Sequence, residues 1–234
     1  MIENILAIPS KDRLRDETLK LLSWAEFDID IPGRQLTAGA TLREVGGFTI
    51  ALMRPKDIIE WVGSGKIPVG IVGLDTLEEA RLMPPSPDSW KAQSVETLLK
   101  LGVGSCRLAA AASENSGIKS MQDLDEAVEL WGSLTIATSY PRITDKYFEE
   151  FGGRVGRAVI IRALAGSVEA APALGLANII TDLVETGTTI KDNNLIEIGT
   201  IFESQAILIT TVESDRRRDS FIGAIRRRLA RAIS

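Results

Sequence analysis

An α/β fold is predicted for this chain from three observations. Short apolar, β-branched runs alternate with stretches of helical periodicity: NILAIP at residues 4–9, FTIALMR at 48–54 and LTIAT at 134–138 are strand-like, and amphipathic segments separate them. Charged and hydroxyl-bearing residues stand directly after the strands, where parallel βαβ units collect their ligand groups. The 234 residues, 44% hydrophobic, suffice for one large domain or two small ones.

Taken in order, residues 4–9 form a strand ending at proline. Ser10 is an N-cap candidate for a helix whose core stripe is Leu14, Thr18, Leu21, Leu22 and Ala25. Lys11 and Arg13 then sit at a strand-to-helix junction, where backbone N–H groups favour an anion; two solvated charges are the plainer alternative. Residues 31–36 read as a turn entering an extended stretch. Residues 48–54 are a strand, 55–62 a helix, 66–72 a strand, and Leu77 and Ala80 mark the next helix. Arg54, Asp57, Gly73 and Asp75 all fall at strand ends.

The three prolines of 81–90 indicate a loop. Residues 106–112 are expected to be a strand crossing into a second domain, and 206–212 the return. Between them, a helix over 121–130 follows Ser120, a strand covers 134–138, and Ser139-Tyr140-Pro141 opens a helix through Phe148. A strand over 155–163, a helix over 167–175 and a strand over 195–201 complete the inserted segment. The last helix, 215–234, carries Phe221, Ile225, Leu229 and Ile233 at every fourth position amid many arginines. That basic face suits RNA or an acidic partner, or is simply solvated.

The densest chemistry lies in 167–190. Residues 177–184 read as a buried strand, followed at once by Glu185-Thr186-Gly187-Thr188-Thr189. Such a loop offers backbone N–H groups and three hydroxyls to one anion, and Gly187 lets the backbone approach closely. Asp182, just upstream, is placed to meet sugar hydroxyls or a metal. A tight turn with capping threonines is the competing interpretation.

Composition narrows the chemistry. No histidine is present, which excludes a histidine base, a Ser-His-Asp triad and a His-ligated zinc; one cysteine, Cys106, excludes an intramolecular disulfide. A net charge of −5 argues against a general nucleic-acid binder. The opening residues lack a secretory pattern, and no run approaches the roughly 18–20 apolar residues of a membrane span. A cytoplasmic protein is expected, acting on neither membrane nor nucleic acid.

These motifs, in this order, resemble the ATP phosphoribosyltransferase family of histidine biosynthesis. Glu169-x5-Gly175-x-Ala177-x2-Ile180-x-Asp182-Leu183-x2-Thr186-Gly187-x-Thr189 fits the family signature along its length. Pro9-Ser10-Lys11-x-Arg13-Leu14, Gly33-Arg34-x-Leu36, Arg54-x2-Asp57-Ile58, Gly70-Ile71-Val72-Gly73-x-Asp75 and Cys106-Arg107-Leu108 support it. So do Ile136-Ala137-Thr138-Ser139-Tyr140-Pro141 and Gly166-Ser167-Val168-Glu169.

The resemblance implies a two-domain, periplasmic-binding-protein-like (type II) fold, residues 106–205 being inserted into a domain of 1–105 plus 206–234. It implies transfer of a phosphoribosyl group from phosphoribosyl pyrophosphate to N1 of ATP, with Mg²⁺ travelling on the substrate and no resident metal. Thr186, Gly187, Thr188 and Thr189 would hold the 5′-phosphate, and Asp182 with Glu169 the ribose hydroxyls or the metal. Arg13 and Arg34, with Lys11 assisting, would neutralise the leaving pyrophosphate; Arg54, Asp75, Ser139 and Tyr140 would line the site. A homodimer, and a regulatory subunit related to histidyl-tRNA synthetase, follow from the resemblance to the family's short form. Two departures, Asp12 where the family commonly has Gly and Pro68 where it commonly has Asp, leave room for a relative with another acceptor base. A non-catalytic ligand-binding module is a further alternative.

Overall fold

In a computed structural model of the chain, residues 4–30, 36–84, 90–212 and 216–234 are described. Side chains at positions 12, 13, 90 and 216–219 fall outside that description. The chain forms two compact units, Met1–Ser105 with Gln205–Ser234, and Cys106–Ser204. Each is built around its own sheet.

The first unit begins with β1, Ile5–Pro9, a continuous apolar run that becomes a central strand buried on both faces. Helix α1 spans Asp12–Trp24, with Lys11 in extended backbone at the N-cap. Ser10 does not cap it: its N–H donates to the Met53 carbonyl at 2.9 Å, prolonging the sheet ladder by one bond. Thr18, Leu21, Leu22 and Ala25 are buried as the periodicity predicts.

β2 (Asp28–Asp30) then appears, which the sequence reading does not contain, and β3 (Thr37–Leu42) gives strand pairing to the extended stretch expected after the 31–36 turn. In β3, Ala38, Ala40 and Leu42 point inward and alternate with exposed Thr37, Gly39 and Thr41. Ala and Gly carry so little β-propensity that this alternation is faint in one dimension. The 31–36 turn lies outside the described residues except for Leu36.

Strand β4 (Gly46–Met53) and helix α2 (Pro55–Gly63) follow, proline at the first helical turn supplying no donor that the helix lacks. Strand β5 is Val69–Gly73, three residues later than expected because Lys66, Ile67 and Pro68 form the approach rather than the ladder. Helix α3 (Leu74–Arg81), the short α4 (Trp90–Gln93) and β6 (Val95–Lys100) complete the outward path. β6 too is absent from the sequence reading, its apolar content being confined to Val95, Leu98 and Leu99.

The second unit opens with β7, Cys106–Ser113, whose four consecutive buried alanines belong to an interior strand of a five-stranded sheet. Ser120 and Asp123 close a capping box at a 3₁₀ turn, Met121–Asp123, which leads into α5, Leu124–Trp131. Strand β8 (Leu134–Thr138) feeds α6 (Pro141–Phe151).

Residues 155–163 are not one strand: Val155 belongs to helix α7 (Gly153–Ala158), and only Val159–Ala163 form β9. The helix expected over 167–175 is reduced to a 3₁₀ turn, Val168–Ala170, because Pro172 and Gly175 interrupt any longer ladder. Strand β10 is Ile179–Val184, helix α8 Thr188–Asp192 and β11 Leu195–Ser204.

The chain returns through β12, Ala206–Thr211, and ends in α9, Arg216–Ala232. Phe221, Ile225 and Leu229 are buried, whereas Ile233 lies past the helix and is exposed. Each expected crossing strand thus belongs wholly to one sheet.

The first sheet has the order β2-β3-β4-β1-β5-β12-β6, the second β11-β7-β10-β8-β9. In the first, β4, β1 and β5 are parallel, so their C-termini share one edge. In the second, β10, β8 and β9 are parallel and do the same. Those two edges are where parallel strands of this class gather candidate ligand groups.

Candidate functional site

The site of the second unit is built on β10. Its side chains alternate: Ile180, Asp182 and Val184 face one side, Ile179 and Thr181 the other. On the Asp182 side, Ile180 and Val184 pack with Val168, Ala171 and Ile190, which draws the 3₁₀ turn bearing Glu169 and the start of α8 around the strand end. Between them lies a cavity of about 290 Å³ lined by Glu169, Asp182 and residues 183–190. The sequence-predicted loop residues Thr186, Gly187, Thr188 and Thr189 therefore meet Asp182 and Glu169 in one place.

Gly187 adopts φ +80°, left-handed backbone at the N-cap of α8 that an L-residue with a Cβ enters only with strain. Thr186 Oγ1 lies 3.0 Å from Thr188 Oγ1 and accepts a long bond from the Thr188 N–H at 3.4 Å. Thr188 and Thr189 are the first residues of α8 rather than part of an open turn. Loop hydroxyls and first-turn N–H groups thus share one small, open region.

The carboxyl of Asp182 is half-buried and its pKa is raised, first by burial and further by the charge of Glu169; the Leu183 N–H, donating to Oδ1 at 2.9 Å, opposes the shift. Two carboxylates in one cavity make hydroxyl groups or a metal-neutralised anion the fitting ligands, because either relieves their repulsion. Among the described residues no group of three or more Asp, Glu, Cys or His side chains converges to hold a metal.

Behind the loop runs a relay that sequence reasoning missed. Thr144 Oγ1, in α6, lies 2.7 Å from Thr181 Oγ1 and 3.3 Å from Thr138 Oγ1, and all three hydroxyls are buried. The Tyr140 N–H donates to Thr138 Oγ1 at 2.9 Å. The relay fixes the half-buried Ser139–Tyr140 backbone against β10, so these residues share the strand edge with the loop. Only the spacing of the hydroxyls hints at it, and hydroxyls on strands are usually solvent-facing.

In the first unit, Lys11 and Arg54 are exposed at the shared C-terminal edge of β1 and β4. Asp75 is at the end of β5 but is buried, with Thr76 Oγ1 donating to its Oδ2 at 3.1 Å. The Arg13 side chain and the whole of Arg34 lie outside the described residues. Pro68 stands at the opposite end of β5 from Gly73, about 17 Å away at strand rise, where its buried carbonyl accepts from Thr210. It is remote from the edge that carries the candidate ligands.

The family model described as HisG, ATP phosphoribosyltransferase, matches residues 54–231. Curated ATP phosphoribosyltransferases are similar over most of the chain: that of Gemmatimonas aurantiaca is 34% identical over 92% of this chain and 66% of its own length. That of Moorella thermoacetica is 35% identical over 97% of this chain and 94% of its own. The chain thus spans just under two-thirds of the length of some curated relatives and nearly all of others.

Among solved structures, the HisG:HisZ ATP phosphoribosyl transferase complex from Thermotoga maritima superposes with a TM-score of 0.71 at 25% identity, covering 98% of this chain and 97% of that one. A periplasmic transporter superposes at 0.58 with 8% identity over 98% of this chain and 82% of that one, a likeness of fold alone. The architecture is the two-domain type II α/β fold, and the match over most of its length makes this chain a member of the ATP phosphoribosyltransferase family.

Proposed function

We propose that the protein transfers the phosphoribosyl group of phosphoribosyl pyrophosphate to N1 of ATP, releasing pyrophosphate. The observation that carries this reading is the cavity at the end of β10, where a left-handed glycine, three threonines and two carboxylates converge. A 5′-phosphate fits the loop of Thr186 to Thr189, and ribose hydroxyls fit Asp182 and Glu169. Raised proton affinity at Asp182 favours a ligand that supplies hydroxyl donors, since these stabilise the carboxylate without adding charge. Mg²⁺ enters as part of the substrate, bound to pyrophosphate oxygens.

Bond formation from adenine N1 to C1 of the ribose accompanies loss of the C1–O bond to pyrophosphate. Positive charge gathers at C1 and negative charge on the departing oxygens. Adenine N1 is nucleophilic without proton removal, so a chain lacking histidine meets no obstacle. Catalysis is positioning plus charge stabilisation, with Arg13 and Arg34 on the pyrophosphate and Lys11 beside them. Arg54, Asp75, Ser139 and Tyr140 are assigned to the lining near the acceptor. With the T. maritima complex as the structural relative, a homodimer acting with a regulatory subunit like the partner in that complex belongs to the proposal.

Incubation with phosphoribosyl pyrophosphate, Mg²⁺ and ATP, with and without such a subunit, should yield the N1 adduct and equimolar pyrophosphate. Binding of phosphoribosyl pyrophosphate without either product under both conditions would overturn the reading. The relative with another acceptor is weakened here, because Pro68, half of its sequence support, sits at the far end of β5.

A further inference from the structure

Arg107 is the second residue of β7, and the antiparallel register sets it opposite Val184, the last residue of β10. Its guanidinium forms a fork on Glu197 of β11: Nε donates to Oε1 at 2.7 Å and Nη2 to Oε2 at 2.6 Å. β7 lies between β11 and β10, and the remaining Nη1 reaches toward the β10 side, donating to the Glu185 carbonyl at 3.3 Å. Glu185 is the first residue beyond β10 and lines the cavity with the threonines. One side chain therefore joins three consecutive strands at the point where the phosphate-binding loop departs.

A peptide unit is a rigid trans plane, so the direction of the Glu185 carbonyl also sets that of the Thr186 N–H, which points the opposite way. We infer that Arg107, held planar by Glu197, is a positioning residue that orients the Glu185–Thr186 peptide so that the loop N–H groups converge on a phosphate. The inference rests on the phosphate-site reading given above. Lysine is no substitute, since an ammonium has no fixed fork with which to hold a carboxylate and a carbonyl at set angles. The alternative, in which Arg107 itself binds the phosphate, makes the opposite prediction for Glu197: freeing the guanidinium would then strengthen binding.

Calorimetric titration of the 234-residue chain with Mg²⁺–phosphoribosyl pyrophosphate separates the two. Arg107→Met, Arg107→Lys and Glu197→Gln are each expected to weaken binding, by about tenfold for Arg107→Met. Amide exchange at residues 185–189 should accelerate in the same variants while residues 179–184 stay protected. Unchanged affinity in folded Arg107→Met, tighter binding in Glu197→Gln, or weaker binding with no change in exchange would each overturn the inference. If Arg107→Met does not fold, Arg107→Lys and Glu197→Gln, which keep the packing, decide the matter alone. A wild-type chain that does not bind the ligand would sink the phosphate-site reading, and the exchange comparison would still test Arg107.

Discussion

Asp182 carries the clearest conflict between stability and function. Its folded-state pKa is raised, so just above the ordinary carboxylate range the folded chain holds a proton that the unfolded chain has lost. The stabilising contribution is fully present below the unfolded value and declines as pH rises through that window. Asp182→Asn removes the charge while its Oδ1 still accepts from the Leu183 N–H. The variant is expected to melt about 1–3 °C higher at neutral pH and to bind phosphoribosyl pyrophosphate more weakly, measured by thermal denaturation and calorimetry. Wild-type affinity for the sugar should fall as acid protonates Asp182, and that dependence should vanish in Asp182→Asn. For the leaving group, Arg13→Ala or Arg34→Ala is expected to lower kcat by roughly a hundredfold with a much smaller change in affinity, read by steady-state kinetics. Wild-type turnover in either would remove that arginine from the mechanism. These side chains were nameable from sequence because recognising an anion needs few residue types at close spacing.

At the scale of elements, β5 and the α6 relay show what packing adds. An alanine at position 70 would put its Cβ 2.5 Å from Ile58 Cγ2, so Gly70→Ala should destabilise the chain by about 1–3 kcal/mol, read by denaturant unfolding with the m-value unchanged. Thr144→Val preserves shape but strands the Thr181 hydroxyl and leaves Thr138 with the Tyr140 N–H, at about 1–3 kcal/mol; Thr144→Ser should recover most of it. Strands with continuous apolar runs, β1, β4, β8 and β12, were legible in the sequence, because burial on both faces demands such runs. The edge strands β2 and β6 were not, and β3 only as an extended stretch: short or alanine-rich strands take their conformation from the neighbours that complete their ladder. The reverse error occurred over 155–158 and 167–175, where apolar residues suited either conformation and proline and glycine broke the helix.

Over the whole molecule, the chain leaves the first unit at Ser105 and re-enters at Gln205, so the last helix must pack on elements made some two hundred residues earlier. Arg228 makes that link: Nε donates to the Ala25 carbonyl at 2.9 Å, and the guanidinium pairs with Glu26 and lies 3.7 Å from Glu44. Arg228→Met is expected to cost about 1–2 kcal/mol in denaturant unfolding while leaving affinity for phosphoribosyl pyrophosphate within twofold, since Arg228 is not among the proposed ligand residues. Part of the basic C-terminal stripe is thus engaged in holding the fold.

By itself the sequence determined the α/β class and the family and marked the threonine loop of 186–189 as a candidate, because strand periodicity, glycine and hydroxyl chemistry are properties of neighbouring residues. Tertiary structure decided what depends on residues far apart along the chain. It closed the Asp182–Glu169 cavity, buried Asp75, and set Pro68 at the far end of its strand. It also brought Arg107 of β7 to Glu197 of β11 and to the carbonyl that starts the loop. The physical reason is strand pairing: adjacent strands bring side chains ninety residues apart within one hydrogen bond, and no local pattern encodes which strand becomes the neighbour.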